Sequence, residues 1–327
     1  MQEIDAVITW VNGNDPNHRA KRLKYGDKDA LTSEDKGGST RFDSLGEIFW
    51  CVASINRFAP FIHKIFIVTD EQDPGLEPFM QEHFPAGYIP MEIIDHKVIY
   101  RGYEQYLPTF NSIALETMTW RIPGLSDLFI EFNDDLLLNQ PVQPEDFFSA
   151  DGKPICYASK TNLALTRLTR ILKGKKNGRT KVSFKGNMWN AAKLVNQKGY
   201  MLKVGHTPKS LNRVFYEKYF NEHPESMIHN ISYRFRDAEQ FTPQEVQYLS
   251  LYRKNECLLK SYNGLLFYLM PKHKEGYVDH KLARLKQMKD CKFLCFNSID
   301  KATEDEREQI LNYISSILGF SIHVIKN

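Results

Sequence analysis

Apolar residues in the first 140 positions group into short runs of two kinds. Ile4-Asp5-Ala6-Val7-Ile8-Thr9-Trp10-Val11 is apolar and β-branched, which predicts a strand. Asn12-Gly13-Asn14-Asp15-Pro16 follows as a sharp turn. Residues 17–40 are polar and rich in Lys, Asp and Gly, and read as a mobile surface segment. Leu45, Ile48, Phe49, Val52 and Ile55 then recur at helical spacing, giving a helix capped by Asp43 or Ser44 and stopped at Ala59-Pro60. Lys64–Asp70 and Met91–Asp95 read as the next strands, and Phe110-Asn111-Ser112 leads a helix near Ile113–Arg121. Beyond Pro123-Gly124, an apolar strand from Leu125 runs into Asn133-Asp134-Asp135 and on to Leu138. Strands alternating with helices predict an α/β fold: a mostly parallel, Rossmann-like sheet with helices on both faces.

The pattern changes at Asp151. A stretch with Arg167, Arg170, Lys173, Lys175, Lys176, Arg179, Lys181 and Lys185 and interspersed glycines suits a loop or short helical lobe. Helices are expected over Asn190–Lys198 and Ser210–Phe220, with Gly205-His206-Thr207-Pro208 as the turn between them. Residues 229–240 hold Arg234 and Arg236 around Phe235 in an extended stretch. Pro243–Tyr252 reads as a helix, Leu265–Leu269 and Lys292–Ser298 as strands, and Thr303 with Glu306 as a capping box opening a last helix. The expected organisation is residues 1–150 as the N-terminal part of the α/β core, 151–240 as a basic, mainly helical lobe carrying His206 and Arg236, and 241–327 completing the core.

With 42% hydrophobic residues among 327 and a mean hydropathy of −0.45, the chain suits a globular protein with a sizeable core. No apolar run approaches the ~20 residues of a membrane span. The opening Met1–Asp5 lacks the charged and apolar regions of a signal peptide, which predicts a cytoplasmic protein. Cys51, Cys156, Cys257, Cys291 and Cys295 are odd in number and form no CxxC pair, so reduced thiols are expected in place of disulfides or zinc. The net charge of +3 conceals an asymmetry. Residues 152–216 hold fifteen Lys and Arg and no Asp or Glu, leaving 28 basic against 40 acidic residues elsewhere, a net of −12. A solvated face mixes its signs, so this block should meet an anion: phosphate, nucleic acid or a membrane surface.

Asn133-Asp134-Asp135 places adjacent carboxylates at the end of a strand, the edge where open α/β sheets bind ligands. Neighbouring carboxylates repel and need a cation, a shared proton or solvent. The same tripeptide also suits a plain turn. A glycine turn directly after the first strand is a common entry to a nucleotide site.

These motifs together resemble the Stealth family of hexose-1-phosphate transferases, which includes bacterial capsule phosphotransferases and the animal N-acetylglucosamine-1-phosphotransferase. The first conserved region resembles Ile4–Asp15. The second resembles Arg41-Phe42-Asp43 through Ala59-Pro60, Ile65–Thr69, Leu107–Ser112, Ile122–Ser126 and Phe132–Asp135. The third resembles Gly205-His206-Thr207-Pro208 with Phe235-Arg236, and the fourth Lys292–Asn297. Phe49, Trp50 and Cys51 stand where the family has a basic residue and Tyr-Ser, and Ser298 where it has Asp.

The resemblance implies transfer of sugar-1-phosphate from a nucleotide-sugar donor, a UDP-hexose or UDP-N-acetylhexosamine, to an acceptor sugar hydroxyl, with release of UMP. It implies Mg²⁺ or Mn²⁺ held by Asp134, Asp135 and Asn297. His206 is implied as the base that deprotonates the acceptor, and Arg236 as the phosphate-binding guanidinium. Trp10, Val11, Asn12, Gly13, Arg41, Asn111, Ser112 and Asn297 are implied on the donor side. Ser112 equally suits a helix cap. The basic block suits an anionic glycan acceptor, a growing phosphodiester polymer or a lipid-linked glycan; the rival reading is peripheral membrane contact through residues 160–185 at the inner face of the plasma membrane. Nucleic acid ranks last, because no reader motif accompanies the block. An ordinary metal-dependent glycosyltransferase releasing UDP, and a non-catalytic glycan- or membrane-binding module, remain the alternatives.

Overall fold

In the computed structural model, residues 2–26, 31, 45–172, 182–272 and 274–324 are described, residues 167 and 169–172 by backbone only. The main sheet is built from β1 (Ile4–Thr9), β2 (Ile65–Thr69), β3 (Met91–Asp95), β4 (Leu128–Asn133) and, after the intervening strands, β8 (Lys209–Asn212). Their order is β3-β2-β1-β4-β8; the first four are mutually parallel and β8 is antiparallel to β4. Strands buried on both faces read as continuous apolar runs, which is why β1, β2 and β4 were legible as strands. Ala6, Ile8, Ile130 and Phe132 point to one core, which the helix Glu47–Phe58 covers through Ile48, Val52 and Ile55. Val7, Phe66 and Phe129 point to the second core, filled from the helices Phe184–Leu194, Arg213–Glu222, Pro224–Ile231 and Pro243–Tyr252.

Two smaller sheets flank this one. β5 (Leu136–Leu138), β10 (Leu266–Leu269) and β11 (Phe293–Phe296) form one, with β11 central, parallel to β10 and antiparallel to β5. β6 (Ile155–Asn162), β7 (Tyr200–Val204) and β9 (Leu258–Lys260) form the other, with β6 central. The chain segments interleave: β8, from the basic middle stretch, extends the sheet built by the first 150 residues, and β5 pairs with the C-terminal β11.

Several expectations are corrected. The polar stretch after Pro16 begins with a helix, Pro16–Tyr25, capped by Asp15, whose Oδ1 accepts from the His18 N–H at 2.7 Å. Residues 32–44, including the expected caps Asp43 and Ser44, lie outside the described residues; the helix Glu47–Phe58 follows Gly46, at φ 102°. The expected helix over Ser210–Phe220 begins as strand β8 and turns helical only at Arg213, because pairing with β4 overrides the weak strand propensity of Lys-Ser-Leu-Asn. Residues 229–240 are no extended strand: Pro224–Ile231 is helix and a loop follows. All five cysteines are buried and free.

His96 opens a short helix after β3 and is buried, with neither ring nitrogen hydrogen-bonded among the described residues. Burial lowers its pKa from 6.5 to about 4. The unfolded chain therefore takes the proton first, so this stability is complete above about pH 6.5 and is lost as pH falls toward about 4. Urea unfolding at about pH 7.5 and about pH 5 should show His96→Leu losing about 2 kcal/mol less than the parent chain over that interval. Equal losses would contradict the assignment.

Candidate active site

Asp134 and Asp135 form the turn by which the chain leaves β4 for β5, passing from the main sheet to the second one. The pair is thus both a turn and the carboxyl-end edge of the sheet. Thr9 of β1 lies beside Asn133 of β4, so the segment after β1, Trp10–Gly13, leaves the sheet next to the two carboxylates. The backbone carbonyl of Asp135 accepts from the Phe296 N–H at 3.0 Å, which anchors the turn to the end of β11. Asn297 then donates its side-chain N–H to Asp135 Oδ2 at 3.0 Å, while its Oδ1 accepts from the Ser298 hydroxyl at 2.9 Å. Asn297 therefore orients Asp135. The other carboxylate oxygen, Oδ1, is buried with no hydrogen-bond partner among the described residues.

Burial, then Asp135, then Glu47 push the Asp134 carboxyl well above the ordinary carboxylate range. Glu47, in the first turn of its helix, is buried and accepts from the Leu45 N–H at 2.6 Å. Three acidic side chains thus act on one another across this edge. Cys51, one helical turn on, donates to the carbonyl of Asn133 at 3.7 Å, and burial with the two aspartates raises its pKa. Among the described residues, no three His, Cys, Asp or Glu side chains are grouped so as to hold a metal.

On the donor side, Trp10 is buried in the core, and its indole N–H has no partner among the described residues. Asn12 is clamped by Gln72: its N–H donates to Gln72 Oε1 at 2.8 Å and its carbonyl accepts from Gln72 Nε2 at 3.0 Å. Val11 and Asn12 are partly exposed and Gly13 is buried. Arg41 lies outside the described residues.

His206 occupies the turn between β7 and β8. Because β8 runs antiparallel to β4, with Lys209 opposite Glu131, its first residues lie toward the carboxylate end of β4. Phe184 and Tyr268 flank the imidazole, with ring centroids 5.9 and 4.9 Å away, while the residue itself stays accessible. This desolvation, then Lys209, lowers the His206 pKa; Asp135 opposes the shift.

Arg236 donates to the Ser112 hydroxyl, with Glu116 and Asp135 in electrostatic reach and burial lowering its pKa. Amide side chains fix its loop. Asn111 donates to the Tyr233 carbonyl at 2.8 Å and to Gln240 Oε1 at 2.9 Å, and its own Oδ1 accepts from the Ile113 N–H at 3.2 Å. The Gln240 carbonyl accepts from Asn187 and Asn190, both at 2.7 Å. Asn111 is buried, and its amide joins the segment before Ser112 to the loop that carries Arg236. Arg234 donates to the carbonyls of Gln105, Tyr106 and Pro108 and holds that loop.

Glu131, on the strand that leads to the carboxylates, belongs to a network that sequence reasoning missed. Gln244 Nε2 donates to Glu116 Oε2 at 2.9 Å and to Glu131 Oε1 at 2.6 Å. Glu131 is fully buried, its carboxyl pushed up to about 8 chiefly by burial, and it lies opposite the buried Lys209. The signal was present: Glu131 is the one charged residue in the otherwise apolar run Leu128–Phe132.

Comparison with known proteins matches two family models, Stealth protein conserved region 1 over residues 2–30 and conserved region 2 over residues 41–156. The receptor polysaccharide phosphotransferase WefC of Streptococcus oralis is 36% identical over 166 residues, 51% of this chain and 46% of that protein. The capsular polysaccharide phosphotransferase WcwK of Streptococcus pneumoniae is 35% identical over the same shares. The exopolysaccharide phosphotransferase SCO6023 of Streptomyces coelicolor is 29% identical over 238 residues, 71% of this chain and 37% of that protein. The chain spans less than half the length of these relatives. Among solved structures, the galactosyltransferase LgtC in complex with donor and acceptor sugar analogues aligns with 96% of this chain and 95% of its own, at 10% identity and a TM-score of 0.45. The chain carries the first two Stealth conserved regions in order, on the strands and helix that build the carboxylate edge, and is a relative of the polysaccharide phosphotransferases.

Proposed function

We propose that this chain transfers a sugar-1-phosphate from a UDP-sugar, a UDP-hexose or UDP-N-acetylhexosamine, to a hydroxyl of an acceptor glycan in capsular or cell-surface polysaccharide synthesis. The observation that supports this reading is that Asp135, on the turn after β4, acts electrostatically on both His206 and Arg236, which come from segments far apart in sequence. The acceptor oxygen attacks the phosphorus next to the sugar. The bond from that phosphorus to the bridging oxygen breaks, and UMP departs with the bridging oxygen. The anomeric carbon keeps its bond to oxygen, and the product is a phosphodiester.

His206 takes the acceptor proton. Its lowered pKa keeps the ring neutral, the form a base requires. Arg236 binds the oxygens of the transferred phosphoryl, where a guanidinium offers paired donors and permanent charge. Trp10–Gly13 and Ser112 border the donor.

The donor set suits a divalent cation. Asp135 has a buried oxygen without a partner among the described residues, and burial, with crowding by Asp135 and Glu47, disfavours ionised Asp134 until positive charge arrives. Asp134 and Asp135 would hold Mg²⁺ or Mn²⁺, hard ions suited to carboxylates, with Asn297 fixing Asp135 beside it. The ion, when bound, supplies charge neutralisation at the pyrophosphate.

On the acceptor side, the helix Leu163–Leu172 exposes Leu165 and Leu168 within the basic stretch 160–185. No helix among the described residues is long and apolar enough to cross a membrane. Residues 173–181 of this stretch lie outside the described residues; we propose that the stretch meets an anionic surface at the cytoplasmic face of the membrane, where a lipid-linked, anionic glycan would be met.

Incubation with UDP-sugars should release UMP and form a phosphodiester; UDP as the sole nucleotide product would establish glycosyl transfer instead. Excess chelator should abolish turnover, and Asp135→Asn should lower kcat by about 100-fold or more. Full activity under either condition would remove the carboxylates from the mechanism. The rate should rise with pH along an acid limb whose midpoint lies below 6.5, because the base works when neutral and its pKa is lowered. His206→Gln should reduce kcat by about 10²–10⁴ and erase that limb. A variant that retains the limb would show another group to be the base.

A further inference from the structure

A groove of about 420 Å³ lies beside β10, an edge strand, between the loop carrying Tyr262 and the helix Tyr277–Gln287. Two of its tyrosines tie it to the proposed base. The Tyr268 ring lies 4.9 Å from the His206 ring, centroid to centroid. The Tyr262 ring covers the backbone of Gly205, so closely that a Cβ there would stand 2.9 Å from Tyr262 Cδ1. Glycine at 205 thus permits an aromatic wall to reach the residue before His206.

The other bank is cationic. Lys281 and Arg284, spaced to share one face of their helix, both line the groove. Neither forms an ion pair with a carboxylate among the described residues. Lys281 lies 5.0 Å over the Phe267 ring. Burial lowers its pKa most, and Arg284 and then Lys272 add to the shift as neighbouring cations. Aromatic rings offer apolar faces for the C–H face of a pyranose, and neighbouring unpaired cations call for an anion.

We propose that this groove binds the acceptor as an anionic glycan: a phosphodiester at Lys281 and Arg284, with a sugar ring against Tyr262 and Tyr268, its hydroxyl directed to His206. The orientation toward His206 rests on the transferase reading above; the ligand chemistry of the groove does not. The basic stretch 160–185 stands apart from this site in sequence, so the two cationic features are separable by mutation.

Calorimetric titration of the full chain tests this with methyl α-glucosyl phosphate, a sugar phosphodiester, against neutral methyl α-glucoside and inorganic phosphate. The diester should bind at least about tenfold more tightly than either, and the double variant Lys281→Gln, Arg284→Gln should lose that preference. Both positions sit on a helix surface, and an unchanged unfolding temperature would confirm that the variant folds. A parent chain that does not prefer the diester, or a variant that keeps the preference, would overturn the proposal. Inorganic phosphate binding as tightly as the diester would overturn it too, by showing a bare anion site. Absence of nucleotide release from the parent chain with every donor would count against the transferase reading, while the calorimetric preference would still decide the groove.

Discussion

Two carboxylates on consecutive residues, at the point where the chain passes from one sheet to another, set the terms for the rest of this molecule. Asp134 and Asp135 cannot move apart, because the β4–β5 connection gives them only a two-residue turn. They also cannot both ionise cheaply, with burial and Glu47 acting on Asp134. The fold keeps Asp135 in place through the end of β11, by the Phe296 backbone and the Asn297 amide, and leaves one of its oxygens unpaired. An edge built this way is stabilised by positive charge from outside the pair, which is what a phosphoryl-transfer site requires.

Arg236 and His206, the groups proposed to answer this need, are positioned by uncharged contacts. Arg236 sits on a loop held by Asn111, Asn187, Asn190 and Gln240, and the Phe110–Phe235 rings, 5.1 Å apart, pack beside it. His206 is flanked by aromatic rings and aligned by the antiparallel return of β8. Gln244 ties Glu116, which acts electrostatically on Arg236, to the buried Glu131 on β4. Such networks position charged groups before substrate arrives, which is where electrostatic catalysis gains most.

Much of the sheet was legible from sequence because β1, β2 and β4 are buried on both faces and therefore mainly apolar, with Asp5 and Glu131 as the charged exceptions. The Asn-Asp-Asp motif stood out for the same reason, as charge abruptly ending an apolar run. β8 was not legible: Lys209-Ser210-Leu211-Asn212 has no strand signature and becomes a strand only by pairing with β4. The functions of Asn111 and Arg234 were equally hidden, since each is spent on carbonyls or amides more than a hundred residues away. Glu47 and Lys209 were invisible as partners of the site because only the tertiary fold brings them to Asp134 and His206. Local pattern reports burial and period; it does not report which distant polar group completes a hydrogen bond.

Isotopic labelling of the oxygen between the anomeric carbon and the phosphorus of the donor tests phosphoryl transfer most directly. Attack at phosphorus leaves that oxygen in the new phosphodiester, so mass spectrometry of the products should find the label there and none in the nucleotide. Label appearing in released UDP would mean that the carbon–oxygen bond had broken, and would contradict the reaction assigned to this site.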